Sequence, residues 1–280
     1  MCGFRRGSFF GARFPAMKTQ DVRFVVIAAR GTSDNAATYA KYLFEIVAGL
    51  PVALAAPSVY SLYNASLSLK NTLVIGISQS GQGTDVNEVI ASAKSAGALT
   101  ACVTNHVDSP LAHVSDFVIL CHAGEERAVA ATKTYTTALA AVALLVSKYT
   151  GDKTLATGLE DLSTQVRQVL QSSSRIEGQV ERYRYMTECA VIARGINQAT
   201  ALEAALKMTE TSYVVAKPYS GADFLHGPVA MVHEGFPCFL FAPSGLTYPS
   251  MLELARKLTD RSAELIVFSN DQEILDTAAT

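Results

Sequence analysis

Leu73-Val74-Ile75-Gly76-Ile77-Ser78-Gln79-Ser80-Gly81-Gln82-Gly83-Thr84-Asp85, followed by Val86, Val89, Ile90 and Ala93, decides the fold class. Its first five residues are apolar without alternation, which describes a strand buried on both faces. A turn rich in Ser, Gly and Thr follows, and then apolar residues at helical spacing describe a helix that Gly97 ends. Strand, turn and covering helix make the repeating unit of a parallel α/β sheet.

The same unit recurs in both directions. Phe24 to Ala28 (FVVIA), Leu99 to Val103 and Phe117 to Leu120 are further short apolar runs separated by helix-length segments. In the first crossover Ser33 is placed to cap a helix carrying Ala36, Ala40, Leu43, Phe44 and Val47, which Gly49 stops. From Thr150 to about Arg182 the chain turns polar, with Leu155, Leu159, Leu162, Val166, Val169 and Leu170 forming an apolar stripe on connecting helices. Strands then resume at Ala190 to Ala193, Cys238 to Ala242 and Leu265 to Ser269. Ile27-Ala28-Ala29-Arg30-Gly31 and Val191-Ile192-Ala193-Arg194-Gly195 open the two halves alike, an internal duplication with a period of about 165 residues. The expected organisation is α/β: a basic leader (1–21), a doubly wound parallel-sheet domain (22–150), a helical linker (151–182) and a second such domain (183–280).

Composition narrows the function. The chain has 280 residues, 49% of them hydrophobic, enough to build its cores without metals or disulfides. A net charge of -2 from 23 basic and 25 acidic residues provides no broad field for nucleic acid or an anionic membrane, so neither is an expected partner. The longest apolar stretch, Ala138 to Val146, is too short to cross a bilayer. Five scattered cysteines without metal-ligand spacing point to reduced thiols, a cytoplasmic location, and no metal or other cofactor. Met1-Cys2-Gly3-Phe4 matches the start of glutaminase domains with an N-terminal Cys nucleophile, but the roughly 20 residues before the first strand fall far short of a domain.

Three clusters can carry chemistry. The Ser78 to Thr84 turn presents hydroxyls at a helix N-terminus, where a phosphate dianion is stabilised; the alternative is that they only cap the helix. Arg30-Gly31-Thr32-Ser33-Asp34-Asn35 ends the first strand and can face the same pocket, because ligands of doubly wound sheets bind beyond the strands' carboxyl ends where the strand order switches. On a helix from about Ala199 to Val215, Glu203, Lys207 and Glu210 share one face, and Leu202, Ala205, Leu206, Thr209 and Tyr213 another. The charged face is either a solvated stripe or, with His226 in the Asp223-Phe224-Leu225-His226-Gly227-Pro228 loop, an acid/base group. The remaining histidines, His106, His113, His122 and His233, read as surface or structural.

Gly31-Thr32-Ser33, Ser78-Gln79-Ser80-Gly81, Ala130-Ala131-Thr132-Lys133, the helix Leu202 to Glu210 and Leu225-His226-Gly227-Pro228 resemble, in order and spacing, the double-SIS isomerase module of glucosamine-6-phosphate synthase. The opening Ala29 to Tyr42 is similar to stand-alone SIS-type glucosamine-6-phosphate deaminases. The resemblance implies flavodoxin-like SIS domains and a sugar-phosphate substrate. It implies phosphate contacts from Ser33, Ser78, Gln79 and Ser80 with Thr32 beside them, and Val129 lining the sugar site. Thr84 stands one place later than the family's threonine, the position of which is Gly83 here. Glu210 would move a proton between C1 and C2, Lys207 would support the open-chain sugar, and His226 would assist ring opening in a neighbouring subunit, which implies a homodimer or larger homo-oligomer. Family members continue through another strand to a tail with an active-site lysine, so the second domain is expected to be incomplete. The functions implied are deaminase/isomerase, the isomerase half of an aminotransferase, or a non-catalytic sugar-phosphate-binding protein.

Overall fold

The computed structural model describes residues 21–171 and 173–278. It contains two all-parallel sheets, each in its own compact unit; the first unit ends at Gln171 and the second holds the described residues from Ser173 onward.

In the first unit β1 (Phe24–Ala28), β2 (Val52–Leu54), β3 (Thr72–Ile77), β4 (Leu99–Thr104) and β5 (Phe117–Leu120) lie in the order β2-β1-β3-β4-β5. The chain therefore leaves β1 towards one edge, returns, and continues from β3 towards the other. The helices are α1 (Thr32–Leu43, extended by a π turn at Phe44–Ala48), α2 (Ser58–Ser61), α3 (Thr84–Ser95), α4 (Pro110–Val114), α5 (Lys133–Thr150) and α6 (Lys153–Gln171). All six residues of β3 are buried, as expected of a strand covered on both sides. Val86, Val89, Ile90 and Ala93 of α3 pack with Leu111 against Val26, Ala28 and Val74 on one face. On the other face α1 packs along α5.

The second unit has β6 (Glu188–Ala193), β7 (Val215–Ser220), β8 (Pro237–Phe241) and β9 (Glu264–Phe268) in the order β7-β6-β8-β9. Its helices are α7 (Ser173–Glu177), α8 (Gln198–Ser212), α9 (Gly221–Leu225), α10 (Tyr248–Thr259) and α11 (Gln272–Ala278). Ile192, Phe224, Leu240, Met251, Leu254 and Leu258 centre one core layer, and Val191, Ala201, Ala205 and Phe239 the other. Among the described residues, no helix is long and apolar enough to cross a membrane.

Several expectations are corrected. β2 and β7 escaped the sequence pattern because both are edge strands with mixed exposure. Pro218 is tolerated in β7 because that strand pairs only with β6 among the described residues, leaving one side free of ladder bonds. Val215 therefore begins a strand rather than ending a helix. The chain leaves α8 at Tyr213, whose φ of 58° breaks the helix and leaves the ring exposed instead of on an apolar face. Ser33 does not cap α1; it lies inside the first turn, and the cap is Gly31, at φ 56°. The stripe on α6 is not buried: Val166, Val169 and Leu170 are exposed although α6 packs along α5. The expected leader, including Cys2, lies outside the described residues apart from Asp21.

Two glycines test the packing. A Cβ on Gly76 would meet Leu111 Cδ1 at 2.9 Å and Ile90 Cγ1 at 3.1 Å, so Gly76→Ala makes these buried side chains of α3 and α4 shift. We expect it to cost about 1–3 kcal/mol in urea unfolding. Gly158, exposed within α6 with open space around it, should instead gain about 0.5–1 kcal/mol as Ala. Equal effects of the two substitutions would contradict this packing.

Candidate functional site

β1 and β3 are hydrogen-bonded neighbours, with Ala28 opposite Gly76, so the turns that leave their carboxyl ends are side by side. The first turn starts α1 and the second starts α3, each a helix of 12 residues. Both helix N-termini, with their partial positive charge, are therefore directed to the same region, although Ser33 N and Asp34 N already donate to Arg30 O at 3.1 Å and Gly31 O at 2.9 Å. A cavity of about 230 Å³ opens there, lined by Arg30, Thr32 and Ser33 from one turn and Ser78, Gln79 and Ser80 from the other. Cys121, Thr134 and Tyr135 contribute from the β5 side. Five residues predicted for phosphate binding are thus brought together at the switch in strand order.

The second turn is tied down on every side. Ser78 N donates to Val103 O at 3.0 Å, Asn105 N donates to Gln79 O at 3.0 Å, and Leu111 N donates to Gly81 O at 3.1 Å. The Ser78 hydroxyl accepts from Gly81 N at 3.1 Å and the Ser80 hydroxyl accepts from Gln82 N at 3.3 Å. Each of these bonds uses a lone pair and leaves the hydroxyl hydrogen to donate elsewhere. The hydroxyls therefore brace their own turn and do not cap α3, whose N-cap is Gly83 without a side-chain bond. Gly81 is required twice over: its φ is 63°, and a Cβ there would meet Ser109 Oγ at 2.3 Å.

Thr84 and Val129 stand apart from this group. Thr84 is the exposed first residue of α3, Val129 is fully exposed, and neither lines the cavity. Val129 had been placed by resemblance alone, and Thr84 also as one of the hydroxyls of its turn.

A residue the sequence did not single out shapes the far wall. Glu126 Oε2 accepts from Thr132 N at 3.1 Å, from Thr134 N at 3.0 Å and from Thr134 Oγ1 at 3.0 Å, which makes it the cap of α5 from six residues upstream. Its distance from the helix start hides it from a local cap search. The Thr134 amide bond, the largest effect, is opposed next by desolvation, and with the lesser help of Thr132 N, Thr134 Oγ1 and the Lys133 charge it holds the carboxyl below the ordinary glutamate range. The cavity thiol Cys121 is pushed up to about 12 by burial, with Thr137 partly offsetting, so it is no nucleophile at neutral pH.

In the second unit α8 carries the charged cluster. Lys207 Nζ lies 2.6 Å from Glu210 Oε2 and 3.5 Å from Glu203 Oε1. Glu203, which was read only as part of a stripe, is 6% exposed. A carboxylate so buried needs a cation, and Lys207 is held between it and the half-exposed Glu210. The apolar face differs from the expected one, since Ala199, Ala201 and Ala205 are buried while Leu202 and Leu206 are only partly so. His226 ends α9, is exposed, and lies outside the hydrogen-bonded trio. Among the described residues, no group of acidic, His and Cys side chains is arranged to hold a metal ion.

The SIS domain model matches residues 20–148 and 188–279. The chain belongs to the SIS-domain family. It is 36% identical over 250 residues to glutamine–fructose-6-phosphate aminotransferase (isomerizing) of Aquifex aeolicus, a match covering 89% of this chain and 42% of that protein. The chain thus spans less than half the length of the curated relatives it matches. The C-terminal domain of the corresponding aminotransferase from Francisella tularensis superposes with a TM-score of 0.82 at 29% identity, covering 89% of this SIS chain and 73% of that one. A glucosamine-6-phosphate deaminase from Thermotoga maritima, at 24% identity and a TM-score of 0.78, covers 92% and 82% and shares the fold.

Glu126 offers a test of the cavity wall. Because its carboxyl is depressed, the stabilisation it gives is complete above the ordinary glutamate pKa and is lost as pH falls through the lower native value. In carboxyl-carbon NMR titrations Glu126 should titrate at lower pH than unpaired glutamates, and Glu126→Gln should remove the acid-side loss of stability assigned to it. A Glu126 midpoint at or above the ordinary value would show that the cap is not formed.

Proposed function

We propose that this chain is a sugar-phosphate isomerase module of amino-sugar metabolism, binding the phosphate in the first unit and carrying its proton-transfer groups on α8 of the second. The observation that supports it most is the convergence of the Thr32–Ser33 and Ser78–Ser80 turns on one cavity at two helix N-termini. Hydroxyl hydrogens, a glutamine amide and helix-end amides are the donors a phosphate dianion requires.

In the proposed reaction Glu210 takes the proton from C2 of the open-chain amino sugar and returns it to C1, converting the aldose amine into a ketose imine. Water then adds at C2 and ammonia leaves, giving fructose 6-phosphate; the reverse sequence makes the amino sugar. Lys207, ion-paired with Glu210, contacts the open-chain sugar, while Glu203 anchors Lys207 from the buried side. His226 assists ring opening, supplied across a homo-oligomer. Of the two catalytic readings, the isomerase half of an aminotransferase is favoured over a stand-alone deaminase, because the 36% identical relative is an aminotransferase and the likeness to the deaminase is one of fold.

Two variants test the two halves separately. Ser78→Ala with Ser80→Ala should weaken fructose 6-phosphate binding by roughly two orders of magnitude in calorimetry, from two charge-assisted hydrogen bonds, without unfolding the chain. Unchanged affinity would remove the phosphate assignment. Glu210→Gln should leave that affinity in place while slowing solvent-deuterium incorporation at C2 by about two to four orders of magnitude. Equal exchange in the variant would reduce Glu210 to a surface charge.

A further inference from the structure

We propose that Arg30 is the counter-charge for the anion in this cavity and that Asp85 is its resting partner, so that binding exchanges one ion pair for another. The inference rests on the phosphate reading of the cavity. Arg30 is the charged residue among the described residues lining it, the others being apolar, hydroxyl, thiol or amide side chains. Hydroxyls and helix ends supply hydrogen bonds and partial charge, but a dianion in a partly enclosed site also needs a full opposing charge.

The geometry makes Arg30 the group able to supply it. Arg30 follows β1, Asp85 sits in the first turn of α3, and their ion pair at 2.6 Å bridges the two turns. The Arg30 and Asp85 side chains are 60% and 30% exposed, so the pair is solvent-screened and contributes little to stability. Releasing it is therefore inexpensive. Asp85 is also held independently, because its Oδ1 accepts from Val86 N at 2.8 Å while Oδ2 takes the guanidinium. It keeps its place when Arg30 turns away. A guanidinium has a planar fork of donors that matches two phosphate oxygens at once.

The acidic neighbours explain why the exchange selects for charge. Asp85 lies in the first turn of α3 and Asp34 in the first turn of α1, so each cavity-side helix start carries a carboxylate. Arg30 acts electrostatically on Asp34 as well, opposing the rise that desolvation gives its carboxyl. An anion entering without Arg30 would meet two negative charges. With Arg30 one of those two charges is balanced, whereas a neutral sugar gains nothing from the exchange.

The test is calorimetry on the full chain with fructose 6-phosphate, inorganic phosphate and unphosphorylated fructose. Arg30→Gln should weaken both phosphate ligands by about 10- to 100-fold, the worth of a hydrogen-bonded ion contact, and leave any fructose binding unchanged. Arg30→Lys should recover part of the loss. Asp85→Asn should tighten phosphate binding several-fold, because it removes the competitor for Arg30. The proposal fails if Arg30→Gln binds fructose 6-phosphate as the parent does, or if Asp85→Asn weakens binding as much as Arg30→Gln, which would make the pair a structural brace. If the Ser78/Ser80 double variant loses phosphate binding and Arg30→Gln does not, the phosphate site stands and the Arg30 role falls. If the parent chain binds neither phosphate ligand, both fall together.

Discussion

Two parallel strands that pair with each other but lead to opposite faces of a sheet must release their following helices from nearly the same point. In this chain those strands are β1 and β3, and the constraint places the N-termini of α1 and α3 beside one another. Everything at the cavity depends on it. The partial positive charges of the two helix starts add there, even though amides such as Asp34 N and Asn87 N are bonded locally to Gly31 O and Gly83 O. The turns are then free to carry small hydroxylated residues, and Gly81 lets the second turn pass within contact distance of Ser109.

The two units answer this constraint differently. Both carry the same Ala-Arg-Gly sequence where their first strand ends. In the second unit the turn after β8 is bonded to the chain itself: Ser244 N donates to Asn270 Oδ1 at 2.8 Å, and Asn270 Nδ2 donates to Ser244 Oγ at 2.9 Å. The Ser244 hydroxyl is thus engaged by a side chain of its own unit. α8, which follows β6 as α1 follows β1, carries Lys207 between Glu203 and Glu210. A duplicated framework thus supports a hydroxyl-lined cavity in one copy and a charged helix face in the other.

Much of this was legible in the sequence because buried parallel strands are unbroken apolar runs. Thr72–Ile77, Leu99–Thr104 and Glu188–Ala193 were each found to within two residues at the ends. The edge strands β2 and β7 were not, since an edge strand buries only part of its surface and can hold a proline such as Pro218. The hydroxyl turns were visible as composition, and the shared face of Lys207 and Glu210 as spacing. Contacts between residues distant in sequence were not visible: Arg30 with Asp85, Glu126 on the start of α5, and the burial of Glu203 all depend on how elements pack. Ser33 misled as a cap because Ser is a good N-cap residue, yet Gly31 in the left-handed region already starts the helix.

The central claim is that an anion binds where the β1 and β3 turns converge. It is tested most directly by following backbone amide shifts as inorganic phosphate is added to the isotopically labelled full chain. The account predicts that saturable shifts concentrate on residues 31–34 and 78–84, with the turn from Ser244 to Thr247 unaffected. Saturable shifts at Ser244 to Thr247, or at Lys207 alone, with the first-unit turns silent, would contradict it.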